Sequence, residues 1–273
     1  MLQVCGVAHS LVPRRVIPPL WREVGVGTLL LGMLSEGSGQ AQPRQADGPP
    51  VMLVPGLFAG DASLAPLADN LRDHGWAVYS SGIRSNIGCS AALVQQLVTQ
   101  LEAIAAEHGA RVALVGHSRG GLLARATAQQ RPDLVSGVVT LGSPHRDQLA
   151  VHPLLWVNVM TLLALGSLGV PGLMRFGCCG AEACCRDYEA DVAAQLPTGV
   201  DAISLFSRND GVVDWRACVD PDGANVEVDA THCAMPNDPA TMRTVVSALA
   251  RFPGCADDEA FADLEPLALS APA

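Results

Sequence analysis

Residues 111–121 read RVALVGHSRGG, and the reading of this stretch decides the fold. Val112 to Val115 form an apolar run with no alternation, the pattern of a strand covered on both faces inside a parallel sheet. Gly116, His117, Ser118, Arg119 and Gly120 then spell G-x-S-x-G. The following GLLARATAQQ is helical in pattern and stops before Pro132. A buried strand, this five-residue pattern and a helix in that order predict a sharp turn that forces Ser118 into a strained backbone geometry. Gly116 and Gly120 let strand and helix approach, and Gly121 removes further bulk. The hydroxyl then stands at the C-terminal edge of the sheet, where open α/β sheets place their ligands.

The same rhythm extends in both directions. VMLVP (51–55), WAVYSS (76–81), VSGVVTLGS (135–143), AISLFS (202–207) and VEVDA (226–230) read as further strands. Helical patterns alternate with them: Ser63 to His74 with Leu64, Leu67, Ala68 and Leu71 on one face, Ala91 to His108 with Leu93, Leu97, Leu101 and Ile104 in one stripe, and Ala240 to Arg251. Strands alternating with helices imply right-handed crossovers and an open, mostly parallel sheet with helices on both faces, a three-layer α/β architecture. Between 151 and 199 the alternation breaks. HPLLWVNVMTLLALGSLGVPGLMRF (152–176) is apolar at helical spacing, and a short helix follows at about Tyr188 to Gln195. This segment reads as an inserted helical lid above the sheet. The expected organisation is an N-terminal extension and linker over 1–49, one domain over 50–253 and an acidic tail over 254–273.

Nearly half of the 273 residues are apolar, so a sizeable core is available. The net charge of −10 and the absence of a basic stripe with interleaved aromatics argue against nucleic acid as a partner. VGVGTLLLGML (24–34) follows Arg14, Arg15 and Arg22 and is too short to span a bilayer. It reads either as a helix lying on the domain or a membrane surface, or as the core of a cleaved signal. The corresponding location is the cytoplasm or the membrane periphery, with secretion as the alternative. Among nine cysteines, Cys178, Cys179, Cys184 and Cys185 cluster as CC-GAEA-CC. They read as disulfides pinning the insertion or as free thiols; the spacing is cramped for tetrahedral zinc. No metal and no cofactor is expected.

A serine hydroxyl needs a base, and the base needs an orienting acid. The strand, G-x-S-x-G and helix resemble the elbow of the α/β-hydrolases, and that resemblance implies the chain order Ser, acid, His. His145 and His152 precede any acid placed after the later strand. His232, in DATHCAMP, lies just past VEVDA and is the expected base. Asp210, in SLFSRND, lies closer to its strand terminus than Asp214 and is the expected acid, with Asp214 left to cap or pair locally. Acyl transfer also needs donors for the tetrahedral oxyanion. The backbone N–H of Arg119 should be one. Leu57, in VPGLFAGD after the first strand, should supply the other, with Phe58 as the alternative. Asn86, in IRSNIGCS, either orders this edge through hydrogen bonds or belongs to an ordinary loop.

Taken together, VMLVPGLFAGD, LVGHSRGG, VVTLGSP, SLFSRNDGVVDW and DATHCAMP resemble the α/β-hydrolase superfamily, in particular its triacylglycerol-lipase-like branch. The resemblance covers about 50–150 and 200–252. It implies an α/β-hydrolase fold and a serine hydrolase of carboxylic esters with Ser118, Asp210 and His232 as triad. The apolar insertion favours lipophilic small-molecule or lipid esters and a peripheral lipid-surface contact. Acyl transfer to an alcohol, or a hydrolase-fold protein that binds without turnover, are the alternative functions. Lipases of this branch commonly carry His-Gly where this chain has Pro55-Gly56, so one side-chain contact beside the oxyanion loop is missing.

Overall fold

The computed structural model describes residues 17–23, 48–176, 183–253 and 269–270. The apolar run 24–34, Cys178 and Cys179 lie outside them, as do the side chains of Cys184 and Cys185.

Six parallel strands form one sheet in the order β2-β1-β3-β4-β5-β6. They are β1 (Pro50–Val54), β2 (Ala77–Ser80), β3 (Val112–His117), β4 (Val135–Leu141), β5 (Asp201–Phe206) and β6 (Ala224–Glu227). Every residue of β1 and of β4 is buried, as the unbroken apolar runs require of strands covered on both sides. Pleating sends neighbours to opposite faces. Val51 and Leu53 join Leu67, Leu71 and Trp76 and the helix α6 (Pro239–Leu249) with Phe252 in one core layer. Met52 and Val54 join Leu97, Leu101, Leu114, Leu122 and Leu123 in the other. Each fully buried leucine of these layers contributes about 1.5–3 kcal/mol relative to exposure.

Helices α1 (Ala65–Asp73) and α6 thus cover one face, and α2 (Ser90–His108) and α3 (Arg119–Gln130) the other. Asp238 caps α6 by accepting a hydrogen bond from the Thr241 N–H at 2.7 Å, and Pro239 supplies a helix-ready first residue. The strand expected over 226–230 instead spans Ala224–Glu227, so His232 follows it by a longer loop.

The segment between β4 and β5 departs from a single lid. It contains α4 (Pro153–Ser167) and α5 (Ala183–Ala193). α5 belongs to the core layer with α2 and α3, where Tyr188 and Val192 are buried. Gln129 and Arg125 of α3 donate to the Ala194 carbonyl at 3.4 and 3.2 Å. Its apolar residues are therefore sheet-layer packing, which periodicity alone could not separate from a cap. Only α4 stands away from the core: Leu163 and Gly166 are buried, while Leu154, Val157, Met160 and Leu165 are exposed.

Candidate active site

Ser118 sits between the end of β3 and the first residue of α3 with φ 52° and ψ −123°. Among the described residues only Ser118 and Phe58 carry a positive φ without being glycine. Such a backbone costs on the order of 1–3 kcal/mol and persists only where its surroundings hold it. Here the Ser118 N–H donates to the Leu141 carbonyl at 2.8 Å, and the Gly121 N–H donates to the Ser118 carbonyl at 3.0 Å. A Cβ on Gly120 would lie 2.2 Å from the Val54 carbonyl oxygen, and one on Gly116 2.4 Å from the Gly121 backbone. The glycines of the pattern are thus dictated by strand–helix approach.

Asp210 and His232 meet beside this turn, across β5 and β6. The Nδ1–H of His232 donates to Asp210 Oδ2 at 2.6 Å, and both side chains are buried. Asp210 Oδ1 accepts from the N–H groups of Val212 and Val213 at 2.8 and 2.7 Å, which fixes the carboxylate. Burial disfavours the charged imidazole, but the Asp210 charge and hydrogen bond outweigh it, and His232 is held above the usual histidine pKa. Asp214 faces elsewhere: it caps the turn Trp215–Ala217 by accepting from Arg216 N–H at 3.1 Å and pairs with the Arg216 guanidinium. His145 and His152 take no part. His145 is buried near Arg125 and Asp220, and His152 caps α4. Among the described residues no hydrogen bond joins the Ser118 hydroxyl to His232.

His117, the variable residue before the serine, was not singled out by sequence reasoning. Its ring lies 4.9 Å from that of His232. Its Nε2 is 3.0 Å from the His232 carbonyl, and since a carbonyl only accepts, Nε2 carries the proton. Burial and the neighbouring imidazole lower its pKa to about 3, so it stays a neutral donor. The serine strand and the histidine loop are stitched together by this bond. Gly142 is a second residue that sequence reasoning left aside. It has φ 57°, and a Cβ there would crowd His232 Nδ1 at 3.1 Å and Asp210 Oδ2 at 3.2 Å.

Leu57 and Asn86 form a parallel bridge that places the loop after β1 beside the turn. The Phe58 N–H donates to the Asn86 carbonyl at 3.4 Å, and Asn86 Nδ2 donates to the Pro55 carbonyl at 2.7 Å. The Arg119 side chain completes the frame. Its Nη1 donates to the Asn86 carbonyl at 2.9 Å and to Asn86 Oδ1, and its Nη2 donates to the Gly88 carbonyl and to Ser90 Oγ at 2.8 and 3.0 Å. The two segments expected to hold the oxyanion are therefore cross-braced through Asn86.

Comparison with known proteins agrees with this architecture. The profile of the alpha/beta hydrolase fold family matches residues 49–161. A triacylglycerol lipase of Pseudarthrobacter phenanthrenivorans is 39% identical over 107 residues, covering 36% of this chain and 33% of the relative. One of Burkholderia plantarii is 39% identical over 107 residues, covering 36% of this chain and 30% of the relative. The chain thus spans about a third of the length of these relatives. Among solved structures, Bacillus licheniformis lipase BlEst2 in mature form superposes with a TM-score of 0.57 at 18% identity, covering 77% of this chain and 94% of that one. Aspergillus fumigatus lipase B gives 0.56 at 16% identity, covering 76% and 54%. The chain has the α/β-hydrolase fold, and over about a third of its length its sequence is similar to triacylglycerol lipases.

The start of α4 is tied to the loop of Asp210. The His152 N–H donates to the Val212 carbonyl at 2.7 Å, and the Asp214 N–H to the Ala150 carbonyl at 2.8 Å. From Gln148 to Met174 the segment carries no Asp, Glu, Lys or Arg. Among the described residues, no helix is long and apolar enough to cross a membrane. No three His, Cys, Asp or Glu side chains among them are grouped as metal ligands.

Proposed function

We propose that this protein hydrolyses carboxylic esters through an acyl-enzyme on Ser118. The observation that carries the reading is the 2.6 Å bond between Asp210 and His232 Nδ1, which leaves Nε2 as the unprotonated nitrogen beside the strained Ser118 turn. In the first half-reaction His232 Nε2 takes the Ser118 proton as Oγ bonds to the ester carbonyl carbon. The resulting oxyanion is held by the N–H groups of Arg119 and Leu57, worth roughly 3–4 kcal/mol per donor in comparable sites. Leu57 is the better second donor, because the Phe58 N–H already points at Asn86. The imidazolium then protonates the leaving alkoxide, the alcohol departs, and water repeats the sequence to release the acid.

The substrate class follows from α4. Its uncharged, partly exposed apolar surface begins next to the loop of Asp210 and favours esters with lipophilic acyl chains. The lipase names of the relatives point the same way. Turnover of p-nitrophenyl esters of increasing acyl length tests both claims. Ser118→Ala should abolish turnover and labelling by a serine-directed phosphonate, and longer chains should raise kcat/KM. Equal turnover by wild type and Ser118→Ala would sink the enzyme reading; a preference for acetyl over longer esters would sink the lipophilic one.

A further inference from the structure

Glu23 is buried, although it lies in a segment that precedes the first strand. Pro18 and Pro19 stiffen the approach, and one tight turn, Leu20–Arg22, closes with the Glu23 N–H donating to the Leu20 carbonyl at 3.0 Å. The carboxylate then accepts three backbone hydrogen bonds from two loops distant in sequence. Oε1 takes the N–H of Gly211 at 2.9 Å and of His232 at 2.8 Å, and Oε2 takes that of Cys233 at 3.1 Å. These are the residue after Asp210, the histidine itself and the residue after it. We propose that Glu23 is a positioning residue of the active site, tying the loop of the acid to the loop of the base. The proposal rests on the reading of Asp210 and His232 as acid and base.

An independent feature of the chain fits this role. A Cβ on Gly211 would lie 2.7 Å from the Pro19 carbonyl oxygen and 2.9 Å from Glu23 Cγ. Glycine at 211 therefore leaves room for the strap, as well as serving the turn after Asp210. Burial would raise the carboxyl pKa, but the three N–H donors outweigh it and hold Glu23 ionised below the usual range. The groups facing His232 are few. Asp210 lies on Nδ1, Glu23 beneath the backbone and His117 across the ring, neutral. Burial and the adjacent Glu23 keep the Cys233 thiol protonated. Both anions favour the imidazolium that forms when Ser118 is deprotonated.

The test uses the full chain as wild type, Glu23→Gln and Glu23→Ala, with urea unfolding as a check on each. Glu23→Gln keeps one carbonyl acceptor but loses the charge and turns an NH2 toward Cys233 N–H or its neighbours. We expect kcat to fall about tenfold with KM within about twofold, and the acidic limb of kcat/KM to move to lower pH. Glu23→Ala should cost about a hundredfold in kcat, since three backbone donors, two of them buried, lose their acceptor. Proton NMR of the His232 Nδ1–H, titrated in Ser118→Ala with and without Glu23→Gln, reads the same shift without turnover. An unmoved imidazole titration, or a folded Glu23→Gln with wild-type kcat and pH limb, would overturn the proposal. So would a Glu23→Gln chain that no longer folds, which would make Glu23 a stability residue only. A wild type that neither turns over nor labels defeats the ester-hydrolase reading instead, and the NMR titration still decides on Glu23.

Discussion

Asp210 divides its two oxygens: Oδ2 binds His232 Nδ1 at 2.6 Å, and Oδ1 is fixed by the N–H groups of Val212 and Val213. A carboxylate anchored this way holds one tautomer of the imidazole and stabilises its charged form. Asp210→Asn presents an amide in place of Oδ2 or Oδ1 and favours the wrong tautomer. We expect kcat to fall by roughly 10⁴-fold, as for other acids of this role. Asp214, four residues on, only caps a turn, and Asp214→Asn should stay within about threefold, in line with the small worth of exposed caps and pairs. Kinetics of the pair on one ester decide the assignment; a large loss confined to Asp214→Asn would reverse it.

The Arg119 guanidinium and Asn86 form one brace across the two segments assigned to the oxyanion. Removing a donor outright costs about 10²–10³ in kcat, and displacing it costs less. Arg119→Met keeps the backbone N–H and loses the brace, so kcat should drop about 10- to 100-fold while phosphonate labelling of Ser118 survives at a reduced rate. Asn86→Ala should do the same. If both act through one brace, the double variant should be little worse than either alone, giving an interaction energy of about 1.4–2.7 kcal/mol in a mutant cycle. Additive losses would show two separate functions.

Much of this architecture was legible because parallel sheets and tight turns leave strong marks. Buried strands read as unbroken apolar runs, and G-x-S-x-G between strand and helix fixes where the turn lies. That Asp210 and His232 would be candidates for one site followed from their order and distance from strand ends, and the two side chains do meet. Residues that act through backbone atoms left no such mark. The Arg119 side chain, His117 and Glu23 each bind carbonyl or N–H groups of segments remote in sequence, and no local pattern encodes those partners. Glu23 stands next to the apolar run 24–34, and nothing in that local setting encodes its partners at 211, 232 and 233. The helix α5 was misplaced for a related reason: its spacing fits a cap and a sheet layer equally, and only Tyr188 and Val192 packed against α2 and α3 tell them apart.

His117 joins the serine strand to the histidine loop by its bond to the His232 carbonyl at 3.0 Å. His117→Phe keeps a ring of similar breadth and removes the donor, leaving a buried carbonyl unpaired. The expected cost is about 1–3 kcal/mol in unfolding free energy, with a kcat loss of about tenfold because His232 is held less firmly. His117→Gln, which can donate again, should recover part of both. Urea unfolding and steady-state kinetics on the three proteins check this, and an undiminished kcat in His117→Phe would show the loop is held without the bond.

His145 gives a pH dependence of stability whose sign can be worked out. Its Nδ1 is 3.1 Å from the Ser143 carbonyl and so carries the proton, and its buried Nε2 has no hydrogen-bond partner, with Asp220 Oδ2 at 4.0 Å. Burial and the Arg125 charge lower its pKa to about 4 against a model-peptide value of 6.5. The unfolded chain therefore binds a proton between pH 6.5 and about 4 that the folded chain refuses, and stability falls as pH falls through that window. At pH 5.5 the linked loss is on the order of 1 kcal/mol for one such histidine. His117, at about 3, adds a loss of the same sign. His145→Gln cannot titrate and should remove its own share, so the gap between its unfolding free energies at pH 7 and pH 5.5 should be smaller than that of wild type by on the order of 1 kcal/mol. Urea unfolding of both proteins at the two pH values measures it directly. Parallel curves would mean that His145 is protonated as readily in the fold as outside it, and that the unpartnered Nε2 is within reach of an acceptor after all.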